Sequence, residues 1–110
     1  MGADAFVVFY GIRYEIHDEH EIDAVSENSD PRITAAKQGK LDFYMGRLTD
    51  GEPHFLFVGR RLGVFGVQNE MLKVYSAEDL ARIAKHTEAS IRSVGLSESA
   101  RFWFQLDAQY

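Results

Sequence analysis

The chain has 110 residues, a net charge of −5 and no cysteine. A chain of this length accommodates one hydrophobic core but not two, so we expect a single domain spanning residues 1–110. The absence of cysteine excludes disulfides, thiolate metal sites and cysteine nucleophiles, and it favours a cytoplasmic location. The apolar residues 5–10 are too few to cross a membrane or to form a signal peptide.

The negative charge is concentrated in one part of the chain. Residues 14–31 contain seven Asp and Glu residues and no Lys or Arg, whereas the other residues carry 12 positive and 10 negative charges. Nucleic acids and anionic membranes attract proteins through a positive field. Neither is therefore an expected partner.

The first third of the chain predicts a strand, a loop and a short helix. Residues 5–16 place apolar side chains at every second position, which is typical of a strand. The acidic residues 17–29 show little periodicity and predict a loop. Asp30 and Pro31 then indicate a helix ending at Gly39, because Asp is a good N-cap and Pro suits the first helical position.

A hairpin is predicted next, formed by residues 41–49 and 54–60. Asp50 and Gly51 between them suit a two-residue type I′ turn. That turn sets the register of four cross-strand pairs: Phe43–Val58, Tyr44–Phe57, Met45–Leu56 and Arg47–His54. Residues 62–75 fit either two short strands or a continuation of the third strand through a bulge.

The last third predicts a long helix and a final strand. Apolar residues recur at helical spacing over 77–94, Ser76 and Asp79 form a capping box, and Gly95 is placed to end the helix. Residues 101–107 form the last strand. The order predicts an α+β domain with a mostly antiparallel sheet and one long and one short helix on one face. This is the ferredoxin-like βαββαβ arrangement, with room for an extra strand.

Three groups of residues are candidate sites. Arg47 and His54, with Arg60 along the same face, would hold an anion beside an acid–base group; the alternative is that the pair simply lies in water near the strand ends. The acidic segment contains side chains that bind divalent metals but matches no named motif, so the alternative there is a solvated loop. Its candidate ligands are His17, Asp18, His20 and Glu21. The candidate interface residues, on the sheet face that no helix covers, are Tyr44, Phe57 and Trp103.

These patterns favour a small non-catalytic binding or regulatory module that associates with a protein partner or with a second copy through its sheet. The sequence has no recognisable catalytic motif or cofactor loop, so we expect no cofactor and do not favour an enzyme. Two alternatives stay open. One is a small enzyme or small-molecule-binding protein that uses the Arg–His pair, and the other is a metal-binding protein that uses the acidic segment.

Overall fold

The computed structural model describes residues 5–47, 54–66 and 70–107. The main element of these residues is an antiparallel sheet. Within these residues the sheet has four strands: β1 (Ala5–Ile16), β2 (Asp42–Arg47), β3 (His54–Phe65) and β4 (Arg101–Asp107). The same residues form three helices: α1 (Glu19–Ser26), α2 (Pro31–Gln38) and α3 (Ala77–Ser93). None of these described helices is both long enough and apolar enough to span a bilayer.

The strands lie in the order β2-β3-β1-β4, and each neighbouring pair is antiparallel. The predicted α+β class with an antiparallel sheet is therefore confirmed. The predicted hairpin register is also confirmed, since Tyr44 pairs with Phe57 and Arg47 with His54. The predicted turn at Asp50-Gly51 lies outside the described residues.

Local signals fix two of the helices where the sequence predicts them. The Asp30 carboxylate caps α2 by accepting the Arg32 backbone N–H at 2.8 Å. Ser76 and Asp79 form the capping box of α3. After α3, Gly95 has a positive φ of 84°, a backbone conformation in which a residue without a Cβ is favoured.

The prediction that residues 17–29 form a loop is wrong, because α1 occupies most of this segment. Asp18 caps the helix by accepting the Glu21 N–H at 2.9 Å, and acidic residues in the first turn favour the positive end of the helix dipole. Val25 is buried in the core and Ile22 packs against it. Two apolar side chains three residues apart were enough to anchor one face of an otherwise acidic helix.

The first part of residues 62–75, the stretch for which the sequence left two alternatives, continues β3 through a bulge. Phe9 pairs with Arg61 and Val8 with Gly63, so Leu62 is one residue more than β1 can match. β3 ends at Phe65, and the described residues 70–76 contain only an isolated bridge. Within the described residues, the extra strand for which the sequence left room does not form.

The sheet separates two cores. All three helices pack against one face, which we call the helix face, and its main cluster consists of Ile12, Ile16, Val25, Ile33, Ala36, Leu41, Leu56, Val58 and Ile91. Four further side chains on the opposite face, which no described helix covers, are 0% exposed: Val7, Phe9, Phe55 and Phe57. A sheet face without helices is normally half-solvated, so its complete burial needs a separate cause.

Strong curling of the sheet buries this second face. The edge strands β2 and β4 would lie about 14 Å apart in a flat sheet. Nevertheless the Tyr44 hydroxyl donates a hydrogen bond to the Asp107 carboxylate. A Cβ added to Gly46 would lie 2.7 Å from Asp107 Oδ2, so β2 reaches the end of β4. We call the face enclosed in this way the concave face.

Two paired glycines permit the curling. Gly11 of β1 pairs with Gly59 of β3. An added Cβ on Gly11 would lie 2.2 Å from the Val58 carbonyl oxygen. One on Gly59 would lie equally close, at 2.2 Å, to the Tyr10 carbonyl oxygen. The two central strands therefore approach more closely here than side chains would allow.

Candidate functional site

The outer edge of the sheet at β4 is the first element of the candidate site. Within the described residues, β4 pairs with β1 only, so its other edge presents backbone N–H and C=O groups. The strand sequence RFWFQLD contains neither Pro nor Lys, the residues that commonly protect such an edge. This edge is available for pairing with another strand.

Apolar side chains stand exposed on the helix face of the same edge. Phe6, Phe102, Phe104 and Leu106, which we call the β4 strip, are 41%, 41%, 66% and 49% exposed. The strip is continuous, because Phe6 pairs with Leu106 and its ring centroid is 6.4 Å from that of Phe104. α3 leaves the strip open because its side chains pack on β1 and β3 instead.

A small apolar pocket adjoins the β4 strip. Its volume is about 200 Å³, and Phe102 and Phe104 form one wall. The other lining residues are Val8, Leu62, Phe65, Lys73, Tyr75 and Leu80. Because an apolar cavity of about 150 Å³ holds a benzene molecule, this pocket has room for one large apolar side chain.

The segment that leads into α3 also exposes apolar side chains. Lys73 and Tyr75 line the pocket. The neighbouring residues Met71, Leu72 and Val74 are 78%, 79% and 80% exposed. Exposed apolar residues that occur singly are common, but a cluster beside an open strand edge is typical of an interaction site.

The structure does not bring Arg47, His54 and Arg60 together. Arg47 and His54 are register partners at one end of the hairpin, as predicted. Arg60 lies six residues from His54 on β3, a separation of about 20 Å along an extended strand. Arg60 instead lines a cleft beside α3.

Three of the four candidate metal ligands have local structural contacts. Asp18 caps α1, and the Glu21 carboxylate lies 3.2 Å from the Arg32 guanidinium. His17 Nε2 lies 3.5 Å from a Glu15 carboxylate oxygen. In residues 5–47, 54–66 and 70–107, no three His, Asp or Glu side chains are placed to hold an ion, and this includes the neighbourhood of His20.

The predicted interface aromatics lie on the concave face. Phe57 is completely buried, with its ring stacked 5.0 Å from that of Phe9. Tyr44 and Trp103 are half-buried at the rim, and Trp103 Nε1 donates a hydrogen bond of 3.0 Å to the Gly11 carbonyl. Only these two of the three predicted residues therefore leave surface in contact with solvent.

Alternation along residues 101–107 puts Phe102, Phe104 and Leu106 on one face of the strand, but it does not mark them as a site. What points to these side chains is that the helices are too narrow to cover the whole sheet. A helix with its side chains is about 10–12 Å wide, whereas four strands span about 14 Å between their outer axes, so one long helix leaves an edge strand uncovered. The last strand, with Phe102 and Phe104 on the helix face, is the strand left open.

Burial and nearby acids raise the pKa of two tyrosines. Burial, then a hydrogen bond to Glu88, raises the pKa of Tyr10 to about 12. Burial, then the charge of Glu98, raises the pKa of Tyr14 to about 12. Both shifts move away from neutrality, so they indicate structural hydroxyls and not general acids or bases.

The Arg32 guanidinium holds the pKa of the Asp30 carboxyl below its usual range through a hydrogen bond. The Asp30 carboxylate is nearly buried and faces Arg32 with both oxygens, at 2.9 Å and 2.8 Å. This pair fixes the start of α2 and has a structural role.

No protein-family model, curated protein or solved structure matches this chain.

Proposed function

We propose that the protein is a non-catalytic binding module that forms a homodimer by pairing β4 with β4 of a second copy. One observation carries this proposal: an unprotected edge strand whose helix-face side chains, the β4 strip, are 41–66% exposed. Addition of a strand to an open edge supplies main-chain hydrogen bonds, and the side chains beside it supply specificity.

The sequence of β4 suits antiparallel pairing with itself. In a two-fold arrangement centred on Phe104, this residue faces its own copy, and Phe102 faces Leu106 of the second copy. Every pair on the helix face is then apolar, and each aromatic or branched cross-strand pair contributes roughly 0.2–1 kcal/mol. The surface is self-complementary, as a two-fold dimer requires.

The exposed apolar area also supports a dimer. The four residues of the β4 strip together expose roughly 350 Å², judged from their fractional exposures. The largest apolar patch on a typical monomer is about 300–600 Å², and a stable interface buries about 800 Å² per partner. Because an interface is a little over half apolar, the strip supplies most of the apolar area that each partner of a dimer needs.

We further infer that the elements follow the ferredoxin-like arrangement. The order β2-β3-β1-β4 with antiparallel neighbours supports it, as does a helical connection before β2 and another before β4. Here the first connection consists of two short helices in place of one. The cytoplasmic location expected from composition stays a prediction.

Sedimentation velocity across the micromolar range tests the dimer. We expect the wild-type chain to dimerise and Phe104→Glu to be monomeric, because a carboxylate opposite its own copy is repelled and desolvated. Ala89→Glu adds the same charge on the exposed side of α3 and should dimerise like wild type. A wild-type monomer at high micromolar concentration, or a dimer indifferent to Phe104→Glu, would overturn the proposal.

A further inference from the structure

Five basic side chains of this acidic protein converge on one open cleft of about 550 Å³. They are Arg60 and Arg61 from β3, Lys73 from the connecting segment, and Arg82 and His86 from α3. Within the described residues, no Asp or Glu lines this cleft. Four of the 12 Lys and Arg residues of a chain with a net charge of −5 are thus gathered at one place.

The bulge in β3 and the cap of α3 create this arrangement. The register shift leaves Leu62 as the additional residue of β3, directly after the two arginines. Its carbonyl accepts a hydrogen bond of 2.8 Å from the Tyr75 hydroxyl, which fixes the connecting segment beside the strand. Arg82 and His86 are four residues apart on α3, so they project from the same side of the helix.

The charge of the cleft is only partly neutralised. Lys73 lies 3.6 Å from Glu70, and Arg82 lies 2.9 Å from Asp79. In the described part of the chain, neither Arg60 nor Arg61 forms an ion pair. The Asp42 carboxylate accepts the Arg61 backbone N–H at 2.9 Å but pairs with neither guanidinium, so each can still bind a phosphate through two parallel hydrogen bonds.

The floor of the cleft is apolar and includes an aromatic ring. Leu62, Tyr75 and Ile83 form it beneath the basic side chains. The volume lies in the range of small-molecule sites, about 300–1,000 Å³. A ligand that uses both parts of this surface carries phosphate groups at one end and a flat apolar body at the other.

We propose that this cleft binds a small organic phosphate with a planar ring, of the nucleoside diphosphate class. The arginines and Lys73 hold the phosphates, and the ring lies on the apolar floor beside Tyr75. A long nucleic acid fits less well, because the acidic stretch 14–31 of the same small domain repels an extended polyanion. The cleft shares Leu62, Lys73 and Tyr75 with the small pocket, but none of the β4 strip lines it, so a monomer keeps every residue of the site.

Isothermal titration calorimetry with ADP and with inorganic pyrophosphate tests this site. We expect both to bind the wild-type chain, with ADP the tighter because of its ring. Arg60→Ala and Arg61→Ala should each weaken ADP binding about tenfold or more, because each removes charge-assisted hydrogen bonds to a phosphate. Arg92→Ala removes the same charge from an exposed site on α3 outside this cleft and should change the Kd less than about twofold.

Further variants separate binding from folding and from dimerisation. Arg82 lies on the exposed surface of α3, so the Arg82→Ala variant should fold normally. It should also bind ADP more weakly than wild type. Phe104→Glu should bind ADP like wild type even as a monomer. Three outcomes would overturn the proposal: no heat from either probe at millimolar concentration, equal weakening by Arg92→Ala, or tighter binding of a single-stranded oligonucleotide than of ADP.

Discussion

Phe side chains are fully buried on one face of the sheet and substantially exposed on the other. On the concave face Phe9, Phe55 and Phe57 are 0% exposed although no described helix covers them. On the helix face, where helices pack, Phe102 and Phe104 are 41% and 66% exposed. Burial in this protein is therefore determined by the curvature of the sheet and by the reach of α3, and not by how apolar each strand is.

The largest expected effect is that of Gly11→Ala, which opposes the curvature itself. The new Cβ would lie 2.2 Å from the Val58 carbonyl oxygen, and its three nearest neighbours are all backbone atoms of β3, which cannot swing aside as a side chain could. We expect the free energy of unfolding in urea to fall by at least about 4 kcal/mol, most of the stability of a small domain.

Gly95→Ala is the matched control for that substitution. Gly95 has a φ of 84°, but an added Cβ meets no atom within 4 Å. It should therefore cost only about 1 kcal/mol, the ordinary penalty for this backbone conformation. Equal losses for the two variants would show that close strand approach at Gly11 does not matter.

Truncating one Phe on each face tests directly whether the concave face is buried and the β4 strip exposed. Phe57→Ala should lower the free energy of unfolding by about 4 kcal/mol, because it leaves a cavity in a fully buried cluster. Phe104→Ala should lower it by less than about 1 kcal/mol, because most of that ring already contacts water. Measurements at low protein concentration keep the dimer from contributing, and similar losses would contradict the assigned faces.

The contact between the edge strands has an intermediate expected effect. Tyr44→Phe removes the hydroxyl that donates to the buried Asp107 carboxylate, and we expect a loss of about 2 kcal/mol in urea unfolding. Tyr14→Phe is the control, because its hydroxyl donates across 3.2 Å to the carboxylate of the exposed residue Glu98, whereas Asp107 is buried. If Tyr14→Phe costs as much as Tyr44→Phe, the edges do not stabilise each other across the concave face.

The smallest effect concerns alkaline pH and the tyrosine beneath α3. The folded-state pKa of Tyr10 is about 12, above the ordinary value of 10.0, so the unfolded chain ionises first. The contribution to stability is complete below pH 10 and is lost as the pH rises toward 12, by an amount on the order of 1 kcal/mol. Chemical denaturation across this range should show a shallower loss for Tyr10→Phe, and an unchanged slope would refute the assignment.

Elements with strong local signals were predictable from sequence. Capping residues specify α2 and α3, alternation specifies β1 and β4, and the register of the hairpin followed from its expected turn. The helix α1 was missed because its acidic composition resembles that of a solvated loop. Its stability depends on distant contacts, including the burial of Val25 and the pairing of Glu21 with Arg32.

The candidate site was less predictable because it depends on the shape of the whole sheet. The sequence placed Tyr44, Phe57 and Trp103 correctly on the face without helices. It contained no measure of how far that face would close, which depends on contacts between residues as distant as Tyr44 and Asp107. Likewise, the basic cleft joins Arg60 to His86 only through the bulge and the packing of α3.

The position of β1 between two later strands affects how the chain can fold. Among the described strands, β1 comes first in the chain, yet one neighbour, β3, follows dozens of residues later, and the other, β4, comes after all the rest. Until residues 101–107 emerge from the ribosome, the aromatic-rich residues 5–11 keep one hydrogen-bonding edge unsatisfied. Such non-local pairing slows folding and prolongs the time for which the apolar surface of β1 is open to aggregation.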